Sequence, residues 1–376
     1  MANAKADQIH QAGVSMWLDS LSREMLDSGW LKDKVDSWGL RGQTSNPTIF
    51  EKAASSGNAY DKALKDAATR GLSKEEACWE LMIEDVQRAC DLFAPLYKAT
   101  VAEDGYVSLE LDPTKADDTK ASIEQGHEIW KRVDRPNLML KVPGTPAGLP
   151  VIAEMLASGY NVNVTLLFSE ERYREVMEQF LVGLERRAKD GKSLEKIASV
   201  ASFFVSRVDG EVDKRLDKIG TPEAKALLGK AAVANARIAY AAFEEVLLNS
   251  ERFAKLQEKG AQIQRPLWAS TSTKNPDYPD TLYVDELIGP HCVNTLPENT
   301  LEAALDHGKS VVTLNQDNLK KAREELKALA DMGIDMHEIT NVLLVEDGVK
   351  KFSQSYVSLL GTIAKEMEKF QGAGKA

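Results

Sequence analysis

Eight apolar segments of strand length recur along the 376 residues, at 14–18 (VSMWL), 39–43 (GLRGQ), 106–111 (YVSLEL), 138–142 (LMLKV), 160–167 (YNVNVTLL), 199–206 (SVASFFVS), 265–271 (RPLWAST) and 292–296 (CVNTL). Stretches of helical periodicity separate them. Strands that alternate with helices must pair in parallel, because an antiparallel neighbour needs only a short turn. Eight such units predict a single-domain (β/α)8 TIM barrel over residues 1–376, with an open doubly wound sheet as the alternative.

The helices announce their ends. Ser73 with Glu76 forms a capping box, Thr221-Pro222 is an N-cap followed by proline at the first helical position, and Gly159 closes the helix that follows Pro146. Residues 52–105, 209–260 and 316–371 are too long for simple turns and read as additional helices, the last set packing on the barrel. Cys78, Met82, Val86, Ala89 and Phe93 share one helical face and predict a core stripe. Neither a linker nor an internal repeat divides the chain.

Composition narrows the class of function. With 47 basic and 58 acidic residues the net charge is −11, which repels nucleic-acid phosphates and anionic membrane surfaces; neither is expected as a partner. No stretch approaches the roughly 18 apolar residues of a membrane span, and the opening MANAKADQIHQAG lacks a hydrophobic signal core, so a cytoplasmic location is expected. Three cysteines without C-x-x-C spacing suit reduced thiols. The Gly-Lys-Ser tripeptides at 191–193 and 308–310 lack the upstream glycine of a phosphate-binding loop, having Arg186 and Ala303 there. Five scattered histidines give no support to a histidine metal centre.

In such a barrel the C-terminal strand ends face the reaction site, so polar residues there are the informative ones. Asp19 ends the first strand, Glu110 lies late in the third, Lys141 interrupts the apolar fourth, and Asn163 with Thr165 alternates against Val162 and Val164 on the fifth. Strand side chains alternate faces, so the fifth strand has one aliphatic face and one of amide and hydroxyl. Barrel strands buried on both sides normally read as continuous apolar runs, so such a face implies either a solvated edge or an internal polar site. A lysine enclosed there is desolvated, which penalises its charged form; the neutral amine is a carbonyl nucleophile that forms a Schiff base. The protonated imine is an electron sink for cleavage of a neighbouring carbon–carbon bond, with a carboxylate taking the alkoxide proton.

Five motifs, GQTSNPTIFEKA (42–53), LMLKVPGTPAGLPVI (138–152), NVNVTLLFS (161–169), SFFVSRVDGEVD (202–213) and LWASTSTKNPDY (267–278), together resemble the transaldolase family across residues 14 to about 300. The C-terminal region resembles the family's closing helices less specifically. The resemblance implies that Lys141 forms the Schiff base, Asp19 accepts the hydroxyl proton, and Glu110 with Thr165 positions a catalytic water. It implies that Asn46 and Asn163 hold the hydroxyls of a three-carbon unit, that Thr44 and Ser202 line the same pocket, and that Arg207 takes the phosphate. At the second phosphate position many relatives carry arginine in Ser-Phe-Arg-Asn, whereas Ser272-Thr273-Lys274-Asn275 supplies lysine here. Ser202-Phe203-Phe204 likewise replaces the usual Ser-Pro-Phe. The related fructose-6-phosphate aldolases have tyrosine and glutamine at the positions of Phe204 and Glu110.

Taken together, the resemblance implies transfer of a dihydroxyacetone unit between sugar phosphates, with no metal or organic cofactor. A lyase of the sister aldolase type and a silent sugar-phosphate-binding barrel stay open as alternatives. Monomer and homodimer are equally compatible with the sequence.

Overall fold

The structure, a computed structural model, describes residues 3–372. Its eight strands are β1 (Val14–Asp19), β2 (Gly42–Thr44), β3 (Tyr106–Glu110), β4 (Leu138–Pro143), β5 (Val162–Leu167), β6 (Ser199–Phe204), β7 (Gln264–Ala269) and β8 (Cys292–Leu296). They pair in parallel in chain order, and β8 returns to β1, closing the barrel. The open-sheet alternative is thereby excluded. Each predicted apolar segment overlaps one strand, but the second is shifted. Residues 39–41 precede β2, because Gly39 at φ 67° ends the helix Trp30–Trp38 in the left-handed conformation.

The helical expectations are met with breaks in two places. Residues 52–105 hold the end of the helix Pro47–Ser55, then Asp61–Arg70 and Lys74–Ala99. The last of these starts with the Ser73–Glu76 capping box and buries Cys78, Met82, Val86, Ala89 and Phe93. Between β6 and β7 lie several helices, of which Pro222–Lys225 begins on the Thr221 cap. The C-terminal stretch is broken after Gln316–Asp331, where Gly333 adopts φ 81°, and resumes with the π-helical Glu338–Leu343 that runs into Leu344–Gly372. All three cysteines are free and buried. No helix among the described residues is long and apolar enough to cross a membrane.

Two features set the barrel interior beneath the site. At its N-terminal end the buried Asp104 carboxylate accepts from Ser15, Arg41 and Arg265. Burial opposes its charge, but the two guanidinium groups outweigh burial and hold its pKa below the ordinary value. Higher up, the fully buried Trp17 indole fills the space beside Gly42, where a Cβ would lie 2.5 Å from the ring. Only glycine lets the short β2 approach this closely.

The long C-terminal helix determines how the opposite end is covered. From Gly348, where a Cβ would stand 2.9 Å from Leu166, it reaches Pro113 through Ser353, which donates to the carbonyl at 3.0 Å. It continues to Thr48 through Ser355 and to Glu51 through Ser358. The helix thus crosses the C-terminal mouth of the barrel from β5 toward the segment after β2.

Candidate active site

Strand register assembles the chemistry. Glu110 on β3 pairs with Lys141 on β4, which pairs with Asn163 on β5, so three polar side chains occupy one level of the barrel. Asp19 on β1 pairs with Thr44 on β2. Above that level lies a cavity of about 130 Å³ lined by Asp19, Thr44, Asn46, Lys141, Thr165, Ser202, Phe204, Arg207, Ser272 and Lys274, with Thr295 and Phe352 among its other walls. Ten of the twelve sequence-predicted residues therefore line one chamber. The other two, Glu110 and Asn163, are buried beside it.

Lys141 is only 5% exposed, so its ammonium is withdrawn from bulk solvent. Its Nζ donates to the Ser45 carbonyl at 3.1 Å and faces Glu110 Oε2 at 3.4 Å. Burial drives the Glu110 pKa up to about 7, opposed by Lys141 and assisted by the negative charge of Asp19. Between the ordinary carboxylate range and pH 7 the folded chain therefore keeps a proton that the unfolded chain has released. This group's contribution to stability is present at acid pH and is lost as pH rises through that window.

The remaining contacts orient the polar wall. Thr44 Oγ1 donates to Asp19 Oδ1 at 2.8 Å and lies 2.6 Å from Thr295 Oγ1. Asn163 Nδ2 donates to Ser108 Oγ at 3.0 Å, and its Oδ1 accepts from Ser202 Oγ at 2.7 Å. Asn163 is thus clamped from two strands, keeping further amide capacity. Asn46 caps the helix Pro47–Ser55 through its Oδ1, which accepts from Ile49 N at 3.1 Å. It thus caps a helix and lines the chamber at once.

Two polar atoms at this site are buried without a partner, Thr165 Oγ1 and Arg207 Nη1. Buried polar groups are nearly always satisfied, so two unsatisfied donors on one chamber mark a place prepared for a ligand. Burial lowers the Arg207 pKa, and Asp347 opposes the shift. Lys274, whose Nζ donates to Ser272 Oγ at 2.7 Å, is also shifted down, by burial and then by the charge of Arg207. Two crowded, partly desolvated cations favour an anion between them.

Local backbone features place these groups. Around Thr165 the β5 register slips, between Val164 and Leu167, and Leu166 adopts φ 60° while only 2% exposed. A bulge of this kind re-aims side chains at strand ends, and the left-handed leucine carries strain of about 1–3 kcal/mol. The loop bearing Ser272 and Lys274 is tied back to the helix that begins beside Arg207. Tyr278 donates to Asp213 at 2.7 Å and Tyr283 to Asp209 at 2.8 Å. These two tyrosines, Thr295, Phe352 and the Ser45 carbonyl escaped the sequence reading. Thr295 had a signal, its place late in the last strand; the others had none.

Comparison with known proteins agrees with this geometry. A model of the Transaldolase/Fructose-6-phosphate aldolase family matches residues 16–363. The chain is 50% identical over 366 residues to the transaldolase of Mycolicibacterium smegmatis, covering 97% of this chain and 98% of the relative. It is 50% identical over 360 residues to that of Thermobifida fusca, at 96% and 97% coverage. With the transaldolase of Mycobacterium tuberculosis strain H37Rv it shares 48% identity over 362 residues, at 95% and 96% coverage.

Proposed function

Because the chain belongs to the transaldolase/fructose-6-phosphate aldolase family and has transaldolase activity, a transferase activity of the pentose phosphate pathway, we propose that it works through a Schiff base on Lys141. The donor is a ketose phosphate, sedoheptulose 7-phosphate or fructose 6-phosphate. The acceptor is an aldose phosphate, glyceraldehyde 3-phosphate or erythrose 4-phosphate. The observation that carries this reading is a buried lysine amine set against a buried carboxylate at 3.4 Å, beneath a chamber whose rim is cationic.

The Lys141 amine attacks the donor carbonyl, and loss of water gives the protonated imine. Glu110, with its pKa near 7, can hold the proton the amine must release. Asp19, held by Thr44, takes the proton from the hydroxyl next to the bond that breaks; the aldose phosphate leaves and the three-carbon unit remains as an enamine. The enamine carbon then attacks the acceptor aldehyde, the new alkoxide recovers the proton from Asp19, and water hydrolyses the imine. Thr165 Oγ1, unpartnered and beside Glu110's strand neighbours, suits the placing of that water. Asn46, Asn163 and Ser202 hold the hydroxyls, while Arg207, Ser272 and Lys274 hold the phosphate. Phe204 presents a ring without a hydroxyl, which favours keeping the enamine for an acceptor over protonating it.

The test is acceptor dependence. With fructose 6-phosphate alone, release of free dihydroxyacetone should be slow; adding erythrose 4-phosphate should produce the seven-carbon ketose phosphate faster by about 100-fold or more. Equal rates with and without acceptor would identify a lyase.

Glu110 gives a second expectation. A buried carboxyl that must ionise to take a proton imposes an acid limb on kcat/KM near pH 7, below which activity falls. Glu110→Gln should lower the rate and flatten that limb, and should lessen the loss of thermal stability that the wild type shows on going from pH 5 to pH 8. A limb that persists in the glutamine variant assigns it to another group.

A further inference from the structure

Two aromatic rings line the reaction chamber. Phe204 lies under Arg207, its ring centroid 5.1 Å from the guanidinium carbon, and Phe352 lies beside Lys141, its centroid 5.7 Å from Nζ. Phe204 comes from the barrel itself, at the end of β6. Phe352 comes from the helix Leu344–Gly372, far beyond the last strand, and is 6% exposed. The helix is pinned on both sides of it. Gly348 lies on Leu166 and 3.6 Å (from its would-be Cβ) from Arg207 Nη1, while Ser353 and Ser355 bond Pro113 and Thr48. Most of the residues lining the chamber are polar, and Phe352 is the aromatic ring set against Lys141.

Resting on the Schiff-base reading above, we propose that Phe352 is a specificity-determining positioning residue: it roofs Lys141, keeps bulk water off the enamine, and so commits the three-carbon unit to transfer. The intermediate has two fates. In transfer, the enamine carbon forms a bond to the aldehyde carbon of the acceptor, whose oxygen takes the proton from Asp19, and water later cleaves the imine. In lysis, the same carbon takes a proton from water, the resulting protonated imine is hydrolysed by a second water, and free dihydroxyacetone leaves with the lysine amine restored. Both routes balance with water alone; they differ in whether a proton donor reaches the carbon before an aldehyde does. An aromatic roof slows the first and leaves the second open from the phosphate side.

The measurement is the partition ratio, free dihydroxyacetone released per unit transferred at fixed acceptor concentration. It is a property of the intermediate and does not depend on the fraction of folded enzyme, so a merely structural loss would not move it. Phe352→Ala should raise the ratio by roughly tenfold, the scale on which opening a water-excluded site changes a competing proton transfer. Phe352→Leu, which refills most of the volume, should stay within about twofold of the wild type. An unchanged ratio in the alanine variant, or a leak through the leucine variant as large as through alanine, overturns the proposal. Borohydride reduction in the presence of fructose 6-phosphate separates the two claims. No adduct on Lys141 in the wild type refutes the Schiff base, whereas an adduct with an unmoved partition ratio refutes the roof alone.

Discussion

Lys141→Ala should reduce kcat/KM for the transfer reaction by at least about 10⁴-fold, because it removes the atom that bonds to the substrate. Such a loss corresponds to roughly 5.5 kcal/mol of transition-state stabilisation. The fold should survive. Lys141 is the positive charge that holds the Glu110 pKa down against burial, so once it is gone Glu110 takes up a proton and stays neutral. The variant is therefore spared a buried, unpaired carboxylate, but its folded state holds a proton that the unfolded chain releases, so its unfolding transition should fall more steeply between pH 5 and pH 8 than that of the wild type. Circular dichroism and a coupled assay on the same preparation check both halves. Residual activity within about tenfold of the wild type would mean that the amine is not the nucleophile.

The second large effect is at the cationic rim. Arg207 in the free enzyme is half-buried, with its Nη1 buried and unpartnered, an arrangement that costs stability until an anion arrives. Arg207→Ala should thus raise KM for fructose 6-phosphate by about 30- to 1,000-fold, the range for removing one side of a buried charged hydrogen-bonded pair. With an unphosphorylated donor such as free fructose the change should stay within about threefold. Thermal stability should hold or increase, since the variant drops a partly desolvated cation with an unpartnered nitrogen. Lys274, which already spends a proton on Ser272, should matter less than Arg207. Equal effects on phosphorylated and unphosphorylated donors would remove Arg207 from phosphate binding and leave it as a packing residue over Phe204.

How far the sequence reached depends on what kind of information each feature carries. The strands were readable because a parallel barrel buries both faces of each one, which writes continuous apolar runs into the chain. β2 was misplaced since it has only three residues and no aliphatic side chain, and its start is set by Gly39 ending the preceding helix. Lys141, Asn163 and Thr165 stood out as polar interruptions of apolar strands, a signal that needs no knowledge of partners. That Glu110 and Asn163 sit beside the chamber while ten others line it could not be read, because depth within the barrel follows from strand stagger and register. The Leu166 bulge lies inside an ordinary run of strand formers and is a tertiary strain. The Ser45 carbonyl is a backbone atom and invisible to residue type. Phe352 reaches Lys141 only because a helix folds back across the mouth, and nothing local distinguishes it from any buried phenylalanine.

The central claim is a covalent one, and reduction of the trapped intermediate tests it most directly. Wild-type enzyme incubated with fructose 6-phosphate and sodium borohydride, then digested and sequenced by mass spectrometry, should carry a reduced three-carbon adduct on Lys141. An unmodified Lys141 under conditions of full turnover, or an adduct carried instead by Lys274 or Lys52, would contradict the account.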